Sequence, residues 1–152
     1  MSTWYQKIWQ EVARPVFRRP PRVQFAAICT RDTPNGPEVL LITSRDTGRW
    51  VIPKGWPING KDGAETAQQE AWEEAGVQPD HLDRTSIGHF SYDKVMDDGS
   101  SIPVHANVYR IRVKGLAENY PEAGQRDRRW FPPQQAAELV REPELSALLQ
   151  QL

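Results

Sequence analysis

Residues 49–77 read RWVIPKGWPINGKDGAETAQQEAWEEAGV, and their order is strand, loop, helix, stop. Asp62 has the chemistry of an N-cap and Glu65, three residues on, that of its capping-box partner, while Gly76 supplies the left-handed residue that ends a helix. Between them Ala64, Ala67, Ala71 and Ala75 fall on one narrow stripe, which lets the helix lie close to a sheet. Glu70, Glu73 and Glu74 share one turn at the rim of that stripe, because residues three and four apart face the same way. Each like-charged pair at this spacing costs roughly 0.2–0.5 kcal/mol, and no Lys or Arg occurs between Lys61 and Arg84. Positive charge must therefore come from elsewhere. Carboxylate oxygens on a rigid element, completed by carbonyls of a Gly-containing loop and by water, suit Mg²⁺ or Mn²⁺. An isolated acidic turn would instead read as a solvated helix face.

The spacing around those glutamates resembles the Nudix box, written G-x5-E-x7-R-E-U-x-E-E-x-G-U with U aliphatic. Gly55 takes the place of the first glycine, Glu70 that of the Glu in R-E, Ala71 the first U, Glu73-Glu74 the acidic pair, and Gly76-Val77 the closing pair. Two positions depart: Lys61 stands where the first Glu belongs, and Gln69 where the Arg belongs. In the family those two side chains help hold the loop against the helix. Here one charge of each sign is absent together, which reads as a lost pair with the metal-binding carboxylates kept. The resemblance implies an α+β fold, an α/β/α sandwich with a mixed sheet between helices. It also implies a Mg²⁺-dependent phosphoanhydride hydrolase, with Mn²⁺ as the alternative ion. Glu70 and Glu74 would be the principal ligands. Glu73 would be either a third ligand or the base that takes the water's proton, a later loop acid, Glu118 or Glu122, would be the other candidate base, and a Lys54 or Gly55 carbonyl would complete the coordination.

A second resemblance concerns the substrate. Leu41-Ile42-Thr43-Ser44-Arg45, followed by Arg49-Trp50-Val51-Ile52-Pro53, is similar to the diphosphoinositol polyphosphate phosphohydrolase branch of Nudix proteins, as is Arg128-Arg129-Trp130-Phe131 before a helix. Lys54, between Pro53 and Gly55, is more typical of relatives that cleave dinucleoside polyphosphates. Substrate contacts are expected from Arg45, Arg49, Lys54, Tyr92, Lys94 and Arg128, with Arg126 as the alternative to Arg128. Two other readings stay open. A nucleoside triphosphate or RNA-end pyrophosphohydrolase would need a base-stacking pocket, for which the six tryptophans offer material. A non-catalytic Nudix-like ligand-binding domain would have no reason to keep three mutually repelling glutamates.

The 152 residues, 38% hydrophobic and 26% charged, suit one domain with a single core. A net charge of −1 argues against a protein that holds duplex nucleic acid by its phosphates. One cysteine, Cys29, sits in an apolar run, which excludes an internal disulfide and fits a reducing, cytoplasmic setting. His81, His89 and His105 lack zinc spacing. No run is apolar for the ~18 residues of a membrane span, and the start has no secretory layout. A small-molecule polyphosphate is the expected partner, and a homodimer remains open.

Trp4, Tyr5, Ile8, Trp9 and Val12 recur at helical spacing, so residues 1–22 read as an amphipathic helix, over 3–13, and a basic arm of Arg14, Arg18, Arg19 and Arg22. The hydrolase domain is expected over 23–152. In it Val23 to Thr30 and Glu38 to Ser44 form a hairpin around Pro34-Asn35-Gly36, and Trp50 to Pro53 is a short strand. Gln78-Pro79-Asp80 reads as a loop. Ser86 to Val95 and Val104 to Val113 are longer strands joined around Asp98-Gly99, and neither alternates cleanly. After an irregular loop over 116–125 come a brief strand at Arg129 to Phe131 and helices at about Gln134 to Val140 and Glu144 to Gln150.

Overall fold

The computed structural model describes residues 20–152; the helix expected over 3–13 and residues 14–19 of the basic arm lie outside them, while Arg22, expected in the arm, is the first residue of a strand. β1 (Arg22–Thr33) and β2 (Gly36–Thr43) form the hairpin, in antiparallel register with Thr33 opposite Gly36. β3 (Trp50–Val51) pairs antiparallel with the end of β2, and β4 (Lys54–Gly55) crosses to pair with β1, Phe25 opposite Gly55. The single strand expected over 50–53 is thus split. Pro53 has no N–H for a ladder, and its carbonyl instead accepts the Ala27 N–H at 2.9 Å. That switch carries Lys54 and Gly55 to the edge of the helix that follows.

This helix, α1 (Gly63–Ala75), has the expected ends. Asp62 and Glu65 form a reciprocal capping box, and Gly76 closes the helix at φ 68°. Its stripe of Ala64, Ala67, Ala71 and Ala75 is buried, and small side chains there let it approach the sheet closely. β5 (Val77–Leu82) follows at once, although 78–80 read as a loop. Pro79 is tolerated because β5 pairs only with β7 and breaks register on either side of the proline. β6 (Gly88–Val95) and β7 (Ser101–Leu116) form a second hairpin. β7 runs three residues further than expected at each end, and Ile102, Val104, Ala106 and Val108 are buried at every second position, a cleaner alternation than the sequence suggested. β7 lies parallel to β1, while β8 (Arg128–Phe131) pairs with β2. α2 (Pro133–Leu139) and α3 (Pro143–Gln150) end the chain, each with proline in its first turn.

The strands make one mixed sheet with a core on each face. Ala26, Ile28, Val39 and Leu41 pack with Ala136, Leu145 and Leu149 of α2 and α3. Ala27, Cys29, Leu40 and Ile42 point the other way, onto Ala67, Ala71 and Ala75 of α1. The period of two along β1 and β2 therefore sorts side chains into two buried layers, and the α/β/α sandwich follows. Trp50 meets Phe131 edge-on at 5.0 Å, so it belongs to the core. Among the described residues no helix is long and apolar enough to cross a membrane.

Candidate active site

Three segments converge beside the C-terminal half of α1. The first is β4. The Lys54 N–H donates to Glu74 Oε2 at 3.1 Å, and the Glu70 carboxyl lies against Gly55, where any Cβ would overlap it. A glycine at position 55 is thus a steric requirement of the glutamate at position 70.

The second segment is the loop over 117–127. Ala117 N–H donates to Gly76 O at 2.8 Å, and Glu122 N–H to Glu73 O at 3.0 Å. These bonds satisfy carbonyls that the helix end would leave open and hold the loop across the carboxylates. Arg128 completes the staple: its Nη1 donates to Ala75 O at 2.8 Å and to Ala117 O at 2.7 Å, and its guanidinium sits over the Tyr120 ring. Arg128 was expected at the substrate, but its guanidinium is engaged by main chain at the helix end. Arg126, two residues earlier, enters the site in its place. It donates to Thr43 O at 3.1 Å, and its Nη2 lies 3.3 Å from Glu122 Oε1 and 3.6 Å from Glu74 Oε1.

The third segment is the cleft wall from the turn after β2, from β3 and from β6. A cleft of about 480 Å³ is lined by Arg45, Lys54, Glu74, Tyr92, Lys94 and Arg126, among others. Arg45 is half exposed at the rim, 3.1 Å from Gln125 and 3.6 Å from Glu122. Lys54 Nζ lies over the Tyr92 ring at 5.1 Å, and the Tyr92 hydroxyl donates to buried Gln24. Arg49 also lines the cleft, but it is bound to buried Glu142 at the start of α3, at 2.9 Å. Gln24 and Glu142 drew no attention in the sequence. Gln24 has a signal there, as an amide inside an apolar strand; Glu142 has none.

Of the three glutamates, Glu74 faces the cleft directly. Glu70 is close enough to feel the charges of Glu74, Glu73 and Glu122. Glu73 is turned along the helix to Gln69, whose amide donates to it at 3.1 Å. Gln69, standing where an arginine would, thus holds a carboxylate of its own helix. Lys61 is exposed. Glu118 is exposed as well, whereas Glu122 is drawn into the cluster.

The countercharge absent from α1 is present in part, as Arg126 and Lys54. It is insufficient. Burial, then repulsion from Glu74, Glu73 and Glu122, pushes Glu70 up to about 7. Burial raises Glu74 to about 7 as well, against the pull of Arg126 and Lys54. Burial lowers the Lys54 ammonium to about 8. Among the described residues no three acidic, histidine or cysteine side chains already converge on one point. The donor set still fits a hard divalent cation. Glu70 and Glu74 offer carboxylate oxygens on successive turns, both disfavoured as anions where they stand, with the Lys54–Gly55 main chain alongside.

Comparison with known proteins gives one family. The profile described as NUDIX domain matches residues 20–152. Nudix hydrolase 12, mitochondrial, from Arabidopsis thaliana is 30% identical over 113 residues, 72% of this chain and 55% of its own. Nudix hydrolase 16, mitochondrial, from the same plant is 32% identical over 107 residues, 70% of this chain and 59% of its own. The chain thus spans somewhat over half the length of these relatives. Among solved structures, a C. elegans Ap4A hydrolase binary complex superposes with a TM-score of 0.62 at 19% identity, over 85% of this chain and 93% of the other. The NUDIX domain of Shewanella oneidensis NrtR, complexed with ADP ribose, gives 0.64 at 14% identity, over 90% of each. At those identities the likeness establishes the fold.

Proposed function

The chain belongs to the Nudix hydrolase family, and from that premise we propose that it cleaves a phosphoanhydride bond in a phosphate-rich small molecule, a diphosphoinositol polyphosphate or a dinucleoside polyphosphate. The observation that carries this reading is the cleft, where Arg45, Lys54, Lys94 and Arg126 line one space that opens onto Glu74. Arg49 and Arg141 line it too, as do Asp46, Asp93 and Asp97, so six cations face four carboxylates, and that excess of positive charge suits a substrate with several phosphates.

Glu70 and Glu74 are the residues to hold Mg²⁺ or Mn²⁺, with Glu73 as a third and the Lys54 or Gly55 carbonyl beside them. When bound, such an ion neutralises phosphate oxygens and acidifies a water. The side chains do the rest. Arg45 at the rim grips a phosphate with its planar fork, while Lys54 and Lys94 act as point charges deeper in. Tyr92, fixed by Gln24, gives the Lys54 ammonium a ring to rest on. In the reaction a water oxygen forms the new P–O bond, the bridging P–O bond breaks, and the leaving phosphate takes the electron pair. The water's proton passes to an acid at the cluster, Glu73 or Glu122, both of which border Glu70.

The test is a product assay on diphosphoinositol polyphosphates, dinucleoside polyphosphates, nucleoside triphosphates and capped RNA, each with Mg²⁺ and with Mn²⁺. Turnover concentrated on the first two classes supports the proposal. Turnover confined to mononucleotides or RNA ends assigns the cleft to base recognition, and no turnover on any class leaves a ligand-binding domain.

A further inference from the structure

The Arg126 side chain is only 10% exposed, and it comes from a loop that touches α1 near its C-terminal end. Its Nη1 is anchored on Thr43 O, Nη2 is shared between Glu122 and Glu74, and Nε is buried without a hydrogen-bond partner. A guanidinium with an orphaned N–H is not in its best position by hydrogen bonding alone. What keeps it there is charge, because Glu74 is 12% and Glu122 21% exposed, and buried carboxylates need a nearby cation.

We propose that Arg126 is a built-in counter-cation for the carboxylate cluster, so that a divalent ion binds Glu70 and Glu74 by displacing the hold of Arg126 on Glu74. The inference rests on the metal-binding reading above. A fixed cation next to a metal site repels the metal, and at low local dielectric that repulsion is large. Arg126 therefore stabilises the metal-free protein and weakens its metal binding. The freed guanidinium, still tethered to Thr43, then faces the cleft, where a substrate phosphate is its next partner.

The test is Mn²⁺ binding without substrate, by calorimetry, on the full chain. Arg126→Gln is expected to lower the Mn²⁺ dissociation constant by about tenfold or more. Arg126→Lys, which keeps the charge, should stay near wild type. Arg45→Gln should change little, because Arg45 is 56% exposed and its charge is screened by water. If Arg126→Gln does not fold, Arg126→Met preserves the volume of the buried stem and introduces no polar atom of its own, and the same tightening is expected of it. Unchanged or weaker Mn²⁺ binding in the uncharged variants, or equal tightening in Arg126→Lys, would overturn the proposal while leaving the metal site intact. Absence of Mn²⁺ binding in wild type would overturn the metal site itself.

Discussion

Glu74 Oε2 accepts the main-chain N–H of Lys54 at 3.1 Å across 20 residues of sequence, which ties the β4 loop to the helix that carries the acidic cluster. The same carboxylate faces Arg126 on its other oxygen. One side chain thus organises loop, helix and cleft.

The acidic cluster makes metal-free stability depend on pH. Glu70 and Glu74 both lie at about 7 in the folded protein, above their ordinary value of 4.5. The folded state therefore binds more protons than the unfolded one between those values. The stability this contributes is complete below pH 4.5 and is lost as pH rises through 7. Melting curves without metal should show it, and Glu70→Gln should flatten the decline. Mg²⁺ should raise the melting temperature more at pH 8 than at pH 5.5, since it binds the ionised form. Equal Mg²⁺ shifts at both values would contradict the assignment.

Gly55 and Glu70 form a steric pair. Gly55→Ala should lower stability by about 1–3 kcal/mol through overpacking, whereas adding Glu70→Ala should recover much of that loss. A double-mutant cycle on chemical denaturation measures the coupling, and strict additivity would show that the two residues do not touch.

Arg45 and Arg49 should separate cleanly. Arg49→Ala strands Glu142, which is only 7% exposed, and should cost about 1–3 kcal/mol of stability. Arg45→Ala should leave the melting temperature within a degree or two and raise KM for a polyphosphate substrate. Arg45→Lys should also raise KM, because a point charge does not replace the planar fork. Steady-state kinetics beside thermal melts decide the matter, and a larger stability loss at Arg45 would reverse the two roles.

Lys54 sets a second pH dependence. Its ammonium, lowered to about 8 from 10.5, loses its charge as pH rises through 8. The free-enzyme profile of kcat/KM should fall on that basic limb. In Lys54→Arg, which stays charged, the limb should disappear; if it persists unchanged, another group titrates there.

Much of this was legible in local sequence. The capping box at Asp62 and Glu65, the alanine stripe and the left-handed Gly76 are governed by contacts within a turn or two, and each stands where the residues put it. The hairpin at Pro34-Asn35 is local for the same reason. β5 was not legible, because Pro79 signals a break and only the edge position beside β7 makes a strand there affordable. The roles of the arginines were not legible either. Arg49 meets Glu142 across 93 positions, and Arg126 reaches Glu74 through the packing of a loop whose sequence has no periodicity. In a run containing Arg126, Arg128 and Arg129, charge alone does not say which one turns inward. Gln69 gives no sign in the sequence that its amide holds Glu73.

Initial-rate hydrolysis of the preferred polyphosphate by wild type and Glu74→Gln, with Mg²⁺ and again with excess chelator, tests the central claim most directly. The glutamine side-chain oxygen can still accept the Lys54 N–H, so the change removes charge while keeping that bond. Wild type should turn over only with the ion, and Glu74→Gln should lose about 10²-fold or more in kcat with its fold intact. Equal rates in the two proteins, or undiminished wild-type hydrolysis in chelator, would contradict a metal-dependent site built on Glu74.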